Sequence, residues 1–408
     1  MTTQDTVATA ERIRIGYDED TAFGTLDTTP TLQLIDAVSE GLKQQSSYQK
    51  SRTLADDRMV RGLIRSDLQA GGPTAHEFRY GAFDTWLLGA FMAASWATKV
   101  QKICTDAVLT AAVAGVVTIA STAQDLSVFS VGQWVKLTLC TTAANNAFGK
   151  VIAASTNLLT LRLANATQDF SGTLTTQNCT ITQGEQITNA TTFRSFSMEL
   201  QYTDLSNEFR QIISAAASRL TFGIETEAIP NIGFEWLAKN EDSATATFGD
   251  GSPTAASTNE IMNSIDHVKA VLEGQTDDLT VTDATQWAMN LNNNLRARKR
   301  LGVLGATSLG MGVMGTDGTF RQHYTSKAIM DKKIDDVVTG LAIILNDGGQ
   351  DAWGNCYVIE QPSIKFTDGA RVAGGQDTDI MADMSYESFK DPTELIVVRM
   401  QRFVTADT

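Results

Sequence analysis

The chain is poor in the residues that carry chemistry. Its 408 residues include only three histidines, four cysteines and six prolines. None of the histidines, His76, His267 and His323, has the i, i+4 partner or the neighbouring cysteine of a metal site. The cysteines, Cys104, Cys140, Cys179 and Cys356, are widely spaced with no CxxC pair. That pattern reads as free thiols in a reducing compartment. With so little proline, and no long Pro- or Ser-rich stretch, no flexible linker divides the chain. There is no G-x-S-x-G, H-E-x-x-H or phosphate-binding loop motif. The longest apolar stretch, around Val108 to Ala120, is too short and too rich in Ala, Gly and Thr to cross a membrane. The first twenty residues are polar and acidic, without the basic start and apolar centre of a secretion signal. The expectation is a soluble protein made in a cytoplasm, not an enzyme, with no cofactor and no metal.

Positive charge is also in deficit: 32 Lys and Arg stand against 47 Asp and Glu, a net charge of −15. Such a surface does not hold nucleic acid by neutralising phosphates. It can face DNA without gripping it, because like charges repel. The one basic cluster is Arg296, Arg298, Lys299 and Arg300. It reads either as a nucleic-acid contact or as a partner for acidic patches on a neighbouring subunit, and the overall acidity favours the second. Gly310-Met311-Gly312-Val313-Met314-Gly315 matches G-x-G-x-x-G. A dinucleotide site needs a helix next, but Thr316 to Phe320 read as a turn and strand, so the stretch is expected to be a glycine-rich loop at a subunit contact. Asp242, Asp250, Asp377 and Asp379 lack calcium-loop spacing and read as solvated acids.

Much of the chain alternates with period two, which predicts half-buried antiparallel strands. In Thr192 to Tyr202, Phe196, Met198, Leu200 and Tyr202 oppose Ser195, Ser197, Glu199 and Gln201. In Arg219 to Glu227, Leu220, Phe222 and Ile224 oppose Thr221, Gly223 and Glu225. Further strands are expected at Ile232 to Trp236, around Trp287, and at Phe320–Tyr324, Val338–Leu345, Cys356–Glu360 and Glu394–Phe403. The turn Asn346-Asp347-Gly348-Gly349 would join two of them into a hairpin. Helical stripes are read at Ala82–Ala94, at Asp204–Ala217 and, more weakly, at Thr325–Asp336. From about Ala107 to Gln186 the composition shifts to Thr, Ala, Asn and Val, with short strand signals that suggest an inserted β-sandwich or barrel. The expected organisation is an arm and first part of the main domain over residues 1–106, an inserted β-sandwich-like domain over 107–186, and the rest of the main domain over 187–408.

The order of these pieces resembles the major tail tube proteins of long-tailed bacteriophages. The opening Gly16-Tyr17-Asp18-Glu19-Asp20-Thr21-Ala22-Phe23-Gly24-Thr25 is one match. Ser51-Arg52-Thr53-Leu54-Ala55-Asp56-Asp57-Arg58 is another, and Glu77-Phe78-Arg79-Tyr80-Gly81-Ala82-Phe83-Asp84 leads into an apolar helix as in that family. Thr192 to Glu199, and the strand ending at Trp236-Leu237-Ala238-Lys239, continue the likeness. Gly132-Gln133-Trp134-Val135 and Asn145 to Val151 resemble small immunoglobulin-like modules found in some of these proteins. The resemblance implies an antiparallel β-sandwich or barrel with a flanking helix. It also implies a structural virion protein, assembled in the host cytoplasm, whose hexameric rings stack into a tube. Partners would be further copies of the chain, tape-measure, tail-tip and terminator proteins, and double-stranded DNA passing without specific binding.

On that reading Ser195, Ser197, Glu199, Gln201, Thr221 and Glu225 are the candidate lumen-facing residues, and the basic cluster is an inter-subunit contact. The same alternation equally fits the wet face of an ordinary sandwich. A β-sandwich receptor-binding protein, or the tube subunit of a contractile tail or secretion machine, are the competing functions. No secretion signal or aromatic platform favours the receptor-binding alternative.

Overall fold

The computed structural model describes residues 8–404 apart from 55, 57, 58, 111–114, 166, 167, 173, 276–278 and 348–353. The glycines of the turn expected at Asn346 to Gly349, and three residues of the Ser51–Arg58 stretch, therefore lie outside the described residues.

The chain begins with β1 (Ile13–Glu19), β2 (Gln33–Ile35), β3 (Ser39–Glu40), β4 (Lys43–Lys50) and β5 (Leu63–Glu77), then helix α1 (Asp84–Ala90). Six strands follow: β6 (Val100–Leu109), β7 (Val116–Ala120), β8 (Trp134–Thr138), β9 (Ala147–Ser155), β10 (Leu158–Leu163) and β11 (Gln177–Gln183). The chain continues through β12 (Glu185–Thr188), β13 (Phe196–Tyr202), β14 (Phe209–Glu225), β15 (Asn231–Ala238) and β16 (Asn240–Ala244). Next come β17 (Val268–Glu273), β18 (Thr280–Val281), β19 (Ala284–Asn292), β20 (Arg296–Arg298), β21 (Ser308–Gly310) and β22 (Gly315–His323). Helix α2 (Ala328–Ile334), β23 (Thr339–Asn346), β24 (Cys356–Ala373), β25 (Ile380–Ser388) and β26 (Arg399–Phe403) complete it. The fold is mainly β, and its strand ladders are antiparallel, as the alternation and short turns predict.

Two long strands organise the main domain by serving two sheets each. The first half of β14 pairs with β13 and β16, and β13 continues to β1 and β2. The second half pairs with β15 and β19, extending to β5 on one side and to β22, β25 and β24 on the other. The change of sheet falls near Ser214, which has a left-handed φ of 53°, and ladder registers shift on either side of it. A bulge of this kind bends a strand and increases its twist. In the same way, the first half of β24 pairs with β23 and β26, which carry β17, β18 and β12.

The helix expected at Asp204–Ala217 is instead strand β14. Residues 211–217 are all buried, and from Ile212 on they are apolar or small on both faces, so the run carries no strand period. Its three alanines, 215–217, favour a helix locally, but the sheet on either side and α1 above override that preference. The other two helices exist in shortened form, as α1 and α2. The strand expected from Glu394 starts only at Arg399, because Asp391 accepts hydrogen bonds from the Thr393 and Glu394 amides and turns the chain there.

The core between the sheets is aromatic. Trp86 of α1 lies 5.2 Å from Phe234 and 4.8 Å from Trp236, both edge-on, and Tyr17, Phe78, Phe83, Phe196 and Phe222 surround them. Burying such rings supplies most of a core's driving force.

Strands β6 to β11 form a closed barrel in the order β10-β7-β6-β11-β8-β9, rather than an open sandwich of immunoglobulin type. Closure comes from the contact of β6 with β7 at Val108 and Leu109, and it leaves no free edge. The barrel has its own core, including Val117, Leu137, Leu159 and Ile181. Its first strand starts at Val100, before the composition changes at residue 107, since composition does not report where a ladder begins.

Candidate assembly surfaces

Five of the six candidate lumen residues lie on β13 and β14, with Ser195 just before β13, and the structure treats them unequally. Ser195, Ser197 and Glu199 are buried. The two serine hydroxyls donate to Asp20 at 2.6 Å each, and Ser197 Oγ also accepts the amide freed by the bulge at Ser214. Glu199 accepts from Thr247 Oγ1 at 2.8 Å and from the Phe248 amide at 2.9 Å. Within one protomer this polar face is therefore not wet: it pins the loops around residues 20 and 248. Gln201 and Thr221 are half-buried, and Glu225 is exposed.

The second surface is an arm. Strands β4 and β5 pair with each other from Lys43–Gly71 to Lys50–Leu63. β5 joins the main sheet, beside β15, only from Ala70 onward. The remainder is a two-stranded ribbon with exposed apolar side chains, Leu63 at 61% and Ile64 at 66% exposure on β5, and Leu54 at 98% and Met59 at 68% on the connection between the two strands. At the root, Gly71 and Gly72 take φ of 141° and 150°. A Cβ on either would lie 2.1 Å from a backbone oxygen of Trp236 or Gly41, so close backbone approach requires glycine at both. An isolated ribbon of this kind is marginal by itself, and Leu54, Leu63 and Ile64 are largely exposed in the lone protomer.

Arg296 and Arg298 lie on β20, paired with β21 in a separate two-stranded hairpin, and Lys299 and Arg300 follow directly after it. Lys299 forms an ion pair with Asp67 of the arm, which holds that carboxyl below the usual range. Arg296, Arg298 and Arg300 stay exposed, as do Leu301 and Val313. The glycine-rich stretch runs from β21 through a loop into β22 with no helix after it, so the dinucleotide geometry does not arise. Leu309 and Ala306 seat the hairpin on Ala216 and Leu237. The structure thus brings the cluster to the side of the arm, a placement that linear spacing does not reveal.

The third surface joins the barrel to the main domain. Trp134 and Phe148 of the barrel stack at 5.6 Å and pack with Leu272, Ile344, Cys356, Val358 and Phe403. Beside them lies a buried ionic quartet. Lys150 of β9 meets Glu360 of β24 at 2.5 Å and Glu394 at 3.7 Å. Arg399 of β26 meets Glu360 at 2.5 Å and Glu394 at 2.8 Å. Trp134 Nε1 donates to Glu360 at 3.2 Å, and Arg399 donates to the Gly132 carbonyl. A Cβ at Gly132 would lie 2.3 Å from Glu394. Burial by itself raises the Glu360 pKa, but Lys150 and Arg399 outweigh it and hold the carboxyl low. Glu394 is pushed up, by burial and by Glu360 beside it, against the pull of Arg399 and Lys150. Two cations and two carboxylates balance, so the barrel is docked in one register rather than tethered.

His76 is a core residue. Its Nδ1 donates to the Asp36 carbonyl at 2.6 Å, and its ring sits among Phe83, Trp86 and Phe234. Nε2 is buried without a hydrogen-bond partner among the described residues. Burial lowers its pKa from 6.5. Above 6.5 both folded and unfolded chains are neutral and the site's stability is intact. As pH falls below 6.5 the unfolded chain takes the proton first, so stability is lost progressively toward the depressed native value. The melting temperature of wild type is therefore expected to fall more between pH 7 and pH 5 than that of His76→Phe. Parallel melting profiles would rule out this site as an acid sensor of the fold.

Among the described residues no group of three or more His, Cys, Asp or Glu is placed to hold a metal, and no helix is long and apolar enough to cross a membrane. A family model described as phage tail tube protein matches residues 10–388. No curated protein matches the chain.

Proposed function

The chain belongs to the phage tail tube protein family, and from that premise we propose that six copies close into a ring, that rings stack into a hollow tube, and that the tube conducts DNA on ejection. The protein is a structural component of the virion tail that assembles into a tube with other tail proteins, and its family is not one of enzymes. Ring closure by strand-to-strand contact between copies would remove the exposed edges that a lone β protomer carries. Stacked head-to-tail rings propagate until another component stops them. Tape-measure, tail-tip and terminator proteins are the expected partners for length, start and stop.

The observation that supports this reading most is the β4–β5 ribbon. It leaves its own sheet and presents Leu54, Met59, Leu63 and Ile64 to solvent, a surface suited to a second copy of the chain. The basic cluster at its flank, on a chain of net charge −15, is suited to an acidic patch of a neighbour. Of the six lumen candidates, Glu225 is the one exposed. A carboxylate there would repel passing phosphates, while Ser195, Ser197 and Glu199 would act by holding the wall's loops.

Negative-stain microscopy of the purified protein, induced to assemble, tests the proposal. Hollow filaments with six-fold end views are expected. Monomers at all concentrations, or rings of another symmetry, would overturn it. A reconstruction at side-chain resolution should place Glu225 at the bore, and finding it on the outer wall would withdraw that assignment.

A further inference from the structure

Three of the four cysteines lie in the core of the inserted barrel: Cys104, Cys140 and Cys179. Cys104 stands on β6, which leads the chain into the barrel, and Cys179 on β11, which leads it out. The two are direct cross-strand partners in the β6–β11 ladder. Both are buried, at 0% and 2% exposure, and both are free thiols. Directly opposed residues of an antiparallel pair have Cα atoms about 4.5 or 5.5 Å apart, depending on the pair type. Either value lies within the span a disulfide accepts, about 4.4–6.8 Å. The register shift between Gln177 and Cys179 adds local twist at this pair. The thiols are also in hydrogen-bonding contact, with the Cys179 side chain making Cys104 the more acidic of the two.

We infer that Cys104 and Cys179 form an oxidative staple, closing into a disulfide when the assembled protein meets a peroxide outside the reducing compartment in which it folds. The chemistry balances with hydrogen peroxide as the oxidant. The Cys104 sulfur attacks one peroxide oxygen, forming a sulfenic acid and releasing water. The Cys179 sulfur then attacks the Cys104 sulfur, forming the S–S bond and releasing a second water. Both thiols are oxidised and the peroxide is reduced. Peroxide is small and uncharged, so it can reach a pair that larger disulfide reagents cannot.

The position gives the bond a consequence. It would join the two strands that connect the barrel to the main domain, closing everything from residue 104 to residue 179 into one loop. Closing a long loop restricts the unfolded chain and stabilises the folded one. The barrel would then hold its shape independently of its docking contacts.

The experiment uses the full-length protein, reduced and then exposed to hydrogen peroxide. Intact mass should fall by two hydrogens, and peptide mapping should join the Cys104 and Cys179 segments. The melting temperature should rise by about 5 °C, and a reductant should reverse both changes. Cys140→Ser should behave as wild type, while Cys104→Ser and, separately, Cys104→Ala should show no loss of two hydrogens. A Cys140–Cys179 link, stable sulfinic acid at Cys104, or no mass change in wild type would each overturn the inference.

Discussion

Lys150→Met is expected to destabilise the protein by about 3–5 kcal/mol, the usual loss when one partner of a buried ion pair is removed. The double variant Lys150→Met, Glu394→Gln should recover much of that loss. The reason is charge balance in the quartet. Without Lys150, Glu360 and Glu394 share Arg399 alone, and one carboxylate is surplus in a site closed to water. Glu394 is already pushed above its ordinary 4.5, so it is the group that takes a proton. A carboxyl whose native pKa is raised gives stability that is fully present below the unfolded value and lost as pH rises through the native one. The penalty of the single variant should therefore be smaller at pH 5.5 than at pH 7.5. Denaturant midpoints for wild type, both single variants and the double at the two pH values measure the coupling. A loss in the double equal to the sum of the two single losses would show that these charges act independently. The same contacts mean that cutting out the barrel would uncover Leu272, Ile344, Val358 and Phe403 and leave the buried Glu360 and Arg399 without Lys150.

Removing the arm should do the reverse, leaving the protomer stable and abolishing assembly. Joining Lys50 to Leu63 by a two-residue turn, with Leu63→Asp and Ile64→Asp, deletes the ribbon's apolar end without touching the core. Exposed positions away from packing change stability by about 0.5 kcal/mol or less, so the melting temperature should stay within about 2 °C of wild type. Filament yield, counted by negative-stain microscopy, should fall to background because the surface that another copy would cover has gone. Filaments at the wild-type yield would show that the arm is not an assembly contact.

How well each element could be read from sequence followed from how it is buried. Leu220, Phe222 and Ile224 are covered on one side while Thr221, Gly223 and Glu225 are not, so the period of two survives and the strand is plain. A few residues earlier in the same strand, residues 211–217 are covered on both sides. The period vanishes there, and local composition points to a helix. Ser195, Ser197 and Glu199 alternate as a wet face does, yet their partners are Asp20, Thr247 and Phe248, brought in from distant loops. Tyr48, Leu63 and Ile64 lie in strands not predicted from the sequence, and among the described residues no third strand pairs with this part of the ribbon, so they stay exposed.

The sequence alone determined the acidic charge balance and the preference for one-sided antiparallel strands, because each depends on residue type and local period. Which polar groups meet water, which ribbon stands free and which four charges share a dry site were decided by the tertiary structure. Those outcomes depend on what packs against a residue from hundreds of positions away, and burial of that kind leaves no mark on the local pattern. Lys150 and Arg399 are ordinary surface residues by sequence, and become a buried pair around Glu360 only because the barrel docks where β24 and β26 meet.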